Sequence, residues 1–276
     1  VTVPENIPEI ERGAFAGCEA IKAINIPKTV TALGDSAFAG CVSLKNISIP
    51  EGVTSIGAGA FAGCKILESA NIPSGVTVIE NYLFSECPVL NGVKIPSGTT
   101  SIGERAFKNC KNLEGLEIPK SVTEIGCEAF CGCLKMENID IPYGVTVIKD
   151  STFDGTVGAK RVTIPETVTE IGMRAFVSCG AVAINLPSSV RYIGAFSYCR
   201  NLTSFTVPEG ITEIEGLFDQ CDSLVKVSLP ESLTKIGGNT FSGCPLLSEI
   251  DIPDGVKSIG AGAFSGCKAL KNVTLP

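Results

Sequence analysis

The chain of 276 residues has no histidine and no tryptophan, only two methionines, and 18% charged residues. Without an imidazole there is no Ser-His-Asp triad, no Cys-His dyad and no histidine metal ligand. Cations are outnumbered, 22 Lys and Arg against 29 Asp and Glu, for a formal charge of −7. A protein that grips a phosphate backbone needs the opposite balance, so no nucleic-acid partner is expected. No uninterrupted apolar run approaches the ~18 residues of a membrane-spanning helix, so membrane insertion is not expected either. At 44% hydrophobic residues the chain is nonetheless too apolar for disorder.

What is abundant is periodic: 30 Gly, 16 Pro and 13 Cys. An Ile/Val/Leu-Pro pair recurs from Pro4 through Pro27, Pro50 and Pro73 to Pro253 and Pro276, at spacings of 21 to 23 residues. Twelve of the 13 Phe fall once per unit, from Phe15, Phe38 and Phe61 to Phe241 and Phe264. Eleven of the 13 Cys follow those Phe by three residues, from Cys18 and Cys41 to Cys244 and Cys267. A clock that runs through the whole chain predicts stacked rungs that share one core, since no single unit buries enough surface to fold alone.

Between Pro50 and Pro73 the apolar residues are Val53, Ile56, Ala60, Phe61, Cys64, Leu67, Ala70 and Ile72. That spacing suits neither a long helix nor a long strand; it suits a coil that points one residue inward at each corner. Ala70-Asn71-Ile72 alternates as a half-buried strand does, and Pro73, lacking an N–H, ends it. Residues 60–64 are expected to form a short turn or 3₁₀ segment. The fold expected is a repeat solenoid, a right-handed coil of parallel β-strands with about twelve rungs, filling 1–276 as one domain. A recurrent Thr, from Thr31 and Thr54 to Thr212 and Thr234, predicts a second extended segment of structural character.

Leu44-x-x-Ile47-x-Ile49 resembles the strand signature of leucine-rich repeats. The fuller unit, Ile49-Pro50-x-x-Val53-Thr54-x-Ile56-Gly57-x-x-Ala60-Phe61-x-x-Cys64-x-x-Leu67, resembles the BspA-like, or treponemal-type, leucine-rich repeat over essentially the entire chain. One departure from ordinary leucine-rich repeats is Gly52, which stands where their ladder-forming Asn would fall. The resemblance implies a secreted or cell-surface protein that adheres to host matrix proteins or other cells, with no catalytic motif and no cofactor. Neither end shows a polar capping repeat and no signal peptide opens the chain, which together lead us to expect a segment of a longer protein.

The register cysteines occupy an apolar position and read as buried thiols, too far apart from rung to rung for relaxed disulfides. Cys127 and Cys131 are off register and, with Cys133, form C-x₃-C-x-C. They read as exposed thiols, with a local disulfide or a zinc site as alternatives. Gly57-x-Gly59-x-x-x-Gly63 misses the spacing of a dinucleotide fingerprint and belongs to the repeat. The sequons at Asn46, Asn201 and Asn272 are short enough to arise by chance.

The outward places of the main strand, two before each repeat Pro, are mostly small and polar and never aromatic. In the middle of the chain Lys94, Glu117, Asp140 and Arg161 form a charge strip on four consecutive rungs, the candidate partner-binding residues. Glu117 and Asp140 are spaced like the carboxylates of a retaining glycosidase, but on an open face without a pocket, so an enzyme is not expected. A non-enzymatic adhesion module comes first and a structural spacer that holds another domain off the cell surface comes second. The units ending at Pro187, Pro208 and Pro230 are short by one, two and one residues, which predicts a local change of curvature across 165–230.

Overall fold

The structure, a computed structural model, describes residues 1–194 and 196–274. Leu275 and Pro276, expected to end the last strand, and Ala195 lie outside them. Contacts divide the chain into Val1–Met136 and Glu137–Pro276, and each unit is a coil of parallel-paired rungs. No helix occurs among the described residues.

Two kinds of strand alternate along each rung. In the first unit the main strands Asn46–Ile47, Ser69–Asn71 and Gly92–Lys94 pair in parallel, one rung apart. In the second, Asn138–Asp140 pairs with Arg161–Thr163, Ser204–Thr206 with Lys226–Ser228, and Glu249–Asp251 with Asn272–Thr274. Two-residue strands such as Ala32–Leu33 and Ser55–Ile56 build the other ladder, with the Ile/Leu buried. The recurrent Thr stands just before them. Thr31 and Thr100 each direct both their N–H and their hydroxyl to one carbonyl of the rung before, Pro8 and Thr77. That is the structural role expected of the row. A strand was expected at every repeat Pro, but before Pro4 and Pro27 there is only an isolated bridge, Thr2 to Asn25, and no strand forms at 114–118 or 181–187. At the first of these Gly115 turns to φ 64°, out of the extended region. At the second the unit ending at Pro187 is one residue short.

The Pro is more than a strand stop. Its carbonyl accepts the N–H three residues on, as Val53 to Pro50 at 3.0 Å, so each repeat Pro from Pro4 to Pro253 opens a tight turn. Around each Phe the chain forms turns rather than 3₁₀ helix: two residues adopt left-handed φ and interrupt any helical run, except at Phe196, where Tyr198 alone among the described residues does so. Phe N–H groups bond the next rung here too, as Phe38 to Ala60 O at 2.8 Å.

Inside, the Phe rings stack. From Phe15 to Phe130 the centroids stand 5.3 to 5.7 Å apart. In the second unit the row from Phe153 to Phe264 is similar except between Phe196 and Phe218, which open to 6.5 Å. The thirteenth Phe explains the gap. Phe205, at the inward place of a main strand, wedges against both rings at 4.8 and 4.9 Å, tilted by 53° and 67°. Both turns flanking this wedge are the shortened ones. In the same stretch the pairing of Glu170–Met173 with Tyr192–Gly194 slips register between Ile171 and Met173.

Nine of the eleven register thiols are buried, the two end ones, Cys18 and Cys267, are half-buried, and the row also bonds. Cys41, Cys64, Cys87 and Cys110 each donate to the carbonyl of the previous rung's Phe, at 3.1 to 3.3 Å. Thr156, which replaces Cys in the row, instead turns its hydroxyl to its own rung's Phe153 carbonyl at 2.8 Å.

Candidate functional site

The main-strand ladder presents its alternate side chains to solvent, and in the first unit they border a shallow trough of about 680 Å³ lined by Ser48, Ser69, Asn71 and Lys94. Much of this face is internally satisfied. Asn71 Nδ2 donates to Ile49 O while its Oδ1 accepts the Ile49 N–H, both at 2.7 Å. Ser69 Oγ donates to Asn46 Oδ1 at 2.6 Å. An outward Asn thus supplies, at one rung, a side-chain tie of the kind that Gly52 cannot make.

The charged residues singled out from the sequence are placed differently from one another. Lys94 lines the trough and has no ion-pair partner among the described residues. Glu117 is exposed, in the rung that forms no strand. These two belong to the first unit, Asp140 and Arg161 to the second. Asp140 Oδ2 meets Arg161 Nη2 at 2.6 Å, and beside them Glu137 Oε1 meets Lys160 Nζ at 2.5 Å. Both pairs are largely exposed, so each contributes ~0–1 kcal/mol to stability and remains open to exchange for a partner's charges. A second open trough, of about 440 Å³, is bordered by Lys226, Ser228, Glu231, Asp251 and Asp254. Cys127 and Cys131 are half-buried on the Phe turn of their rung. Among the described residues no group of three or more Cys, Asp or Glu is arranged to hold a metal ion.

A polar network on the Phe turns went unnoticed in the sequence. Two places before the turn Phe, where other rungs have Gly59 or Gly262, stand Tyr82, Arg105 and Glu128, all with φ between 54° and 60°. Bulky side chains rarely adopt this conformation, which costs each about 1–2 kcal/mol. They meet across successive rungs. Arg105 Nε and Nη2 donate to Glu128 Oε1 at 2.9 and 2.5 Å, Lys108 bonds the other oxygen, and Arg105 Nη1 donates to the Tyr82 hydroxyl at 2.8 Å. The guanidinium also lies 5.6 Å from the Tyr82 ring centroid. Arg105, above all, and Lys108 hold the Glu128 carboxyl down to about 2. The signal was present as bulky residues at a glycine place, legible only once rungs are superposed.

The buried thiols are chemically quiet. Desolvation, and then neighbouring cysteines, push Cys64, Cys87, Cys110 and Cys133 upward, although Cys133 gains from Cys131. Desolvation pushes Cys244 up to about 12. A thiol that does not ionise is a poor nucleophile and a poor metal ligand.

The family model described as "BspA type Leucine rich repeat region" matches residues 8–137, 77–195, 123–218 and 194–276. Among solved structures, a leucine-rich repeat protein from Bacteroides ovatus is 29% identical with a TM-score of 0.67, over 92% of this chain and 72% of that one. A leucine rich cell surface protein from Faecalibacterium prausnitzii is 26% identical with a TM-score of 0.52, over 99% and 86%. The leucine-rich repeat protein of T. pallidum is 31% identical with a TM-score of 0.56, over 62% and 81%. No curated protein matches the chain.

Proposed function

We propose that this chain, which belongs to the BspA-type leucine-rich repeat family, is a non-enzymatic adhesion module of a secreted or cell-surface protein. Its partner is a host matrix or cell-surface protein. Leucine-rich repeat proteins of this bacterial type are in general protein-interaction modules. The observation that carries the reading to this chain is the main-strand face, whose troughs are open, shallow and bordered by polar and charged side chains. A small molecule needs an enclosed site that covers most of its surface, whereas a protein partner needs an extended one. Likeness to a cell surface protein supports the location. The repeat clock also crosses residue 137 without a change of spacing, which supports one solenoid domain over 1–276.

Within that domain Lys94 and Glu117 of the first unit, and Asp140 and Arg161 of the second, are the positions proposed to contact the partner. A panel of purified extracellular-matrix proteins, passed over the immobilised chain, tests the module. Retention of one or more above a blank surface is expected, and retention of none would instead favour a structural spacer. Glu117→Lys and Asp140→Lys should then weaken the retained protein more than Asp251→Lys does. Equal effects would place the contact elsewhere on the ladder.

A further inference from the structure

The two rungs with the most altered turns carry a recess on their Phe-turn side. Chain is missing between Ile193 and Phe196 and between Ile214 and Phe218. At the same two rungs the place two before the turn Phe is Gly194 and Gly216, whereas the flanking rungs there carry Arg174 and Asn239. A Cβ on Gly216 would have nothing within 4 Å. The short turns and the absent side chains leave an open cavity of about 360 Å³, lined by both glycines and by Tyr198, Glu215 and Asp219.

The charge in this notch is unbalanced. Arg174 borders it, but its guanidinium is committed to Asp154 Oδ2, at 2.8 Å from Nη2 and 3.2 Å from Nε. Glu215 is exposed, and neither it nor Asp219 has an ion-pair partner among the described residues. Among the described residues the Gln220 amide alone reaches Asp219 Oδ1, at a long 3.4 Å. Tyr198, 42% exposed, is anchored to the rung of Asp219 by its N–H, which donates to the Asp219 carbonyl at 2.6 Å.

We propose that this notch receives a Lys or Arg side chain from a basic segment of a protein partner. Two carboxylates complement the cationic head, and the face of an aromatic ring is a second favourable place for it. The aliphatic stem lies against buried Val177 and the glycine backbone, as long cationic side chains do when they cover apolar surface. An anion would meet two carboxylates and an arginine already engaged. The proposal rests on the reading of the chain as a protein-binding module, and it adds the chemistry of one contact.

The probe is a fluorescent, end-capped peptide of alternating Gly and Arg, compared by anisotropy with the same peptide carrying neutral citrulline. The chain is tested as Glu215→Gln/Asp219→Asn and as Glu231→Gln/Asp254→Asn, which removes the same charge from the second trough. Binding of the Arg peptide should weaken about five-fold or more in the notch variant and less than about two-fold in the control. The citrulline peptide should not bind. Gly216→Asn, which fills the cavity with a residue that tolerates left-handed φ, should weaken binding as well. Circular dichroism melts establish that each variant is folded. Equal weakening by the two charge pairs would mean attraction by net charge alone and would overturn the notch, as would no measurable binding. Either result, with a matrix protein still retained by the immobilised chain, removes this contact and leaves the module reading in place.

Discussion

The rungs from Phe15 to Phe130 and those from Phe153 to Phe264 are built to one plan but handle exceptions differently. In the first set the core is uniform, with even ring stacking and an unbroken row of thiol-to-carbonyl bonds. Its exceptions are on the outside, as Tyr82, Arg105 and Glu128 replace glycine on the turns. In the second set the exceptions enter the core: Thr156 replaces Cys, two turns shorten, and Phe205 wedges between Phe196 and Phe218. An irregularity in a stacked core is answered within a rung or two, because each rung contacts only its neighbours. The same locality leaves a recess on the surface beside the answer, in the notch around Gly216.

The largest effect expected is shared by both sets and comes from the thiols. Folding raises their pKa above the ordinary 9.0 through desolvation. Above pH 9 the unfolded chain therefore loses thiol protons that the folded one keeps. Stability is complete below pH 9 and falls as pH rises, by about 1.4 kcal/mol per buried thiol per pH unit. With nine cysteines buried, unfolding followed by circular dichroism should set in within roughly one to two pH units above 9. Alkylation with intact-mass readout at neutral pH should modify at most the four half-buried cysteines, Cys18, Cys127, Cys131 and Cys267, before denaturation. Extensive native labelling, or a melting temperature flat to pH 11, would break the picture of a dry thiol row.

Next comes the wedge. If Phe205 fills volume left by two short turns, Phe205→Val should cost about 2–3 kcal/mol in denaturant unfolding. The converse change, Ile139→Phe at the equivalent place of a full-length rung, should also destabilise, by about 1–3 kcal/mol through overpacking. A tolerated Ile139→Phe would show that any rung has room for the ring, and the contrast between rungs would be lost.

The smallest effects belong to the outer network. The Glu128 carboxyl lies below its ordinary 4.5, at about 2. Its contribution is present above pH 4.5 and disappears as pH falls toward 2, and the screening at a half-exposed site keeps it near ~1 kcal/mol or below. Glu128→Gln should therefore flatten the acid limb of the stability profile slightly while leaving neutral-pH stability within about 1 kcal/mol of the parent. A loss of several kcal/mol would mean that this network holds the turns together.

The division between core and exterior also decides what was legible in the sequence. Positions that repeat, such as Phe61, Cys64 and Ile72, announce themselves because stacking demands the same residue at the same depth in every rung. The parallel ladders and the Phe row follow from that. Contacts between unlike residues on neighbouring rungs do not. Arg105 meets Glu128 and Tyr82 where other rungs have glycine in left-handed φ, a mark that shows only when the rungs are superposed. The absence of a strand around Glu117 depends on the one conformation of Gly115, and the pairing of Asp140 with Arg161 on rotamers. The shortened turns were plain as missing residues, but not the cavity they open, since that also required Gly194 and Gly216 at the place of side chains.

If regular rungs hold the fold and departures from the repeat carry recognition, hydrogen–deuterium exchange of the chain, alone and with a retained matrix protein, shows it most directly. New protection is expected at 114–118, at Asn138–Asp140 and Arg161–Thr163, and in the turns spanning 196–219. The regular ladder of Ala32–Leu33 and Ser55–Ile56 should exchange at an unchanged rate. Protection spread evenly along the rungs, or confined to that regular ladder, would contradict the assignment.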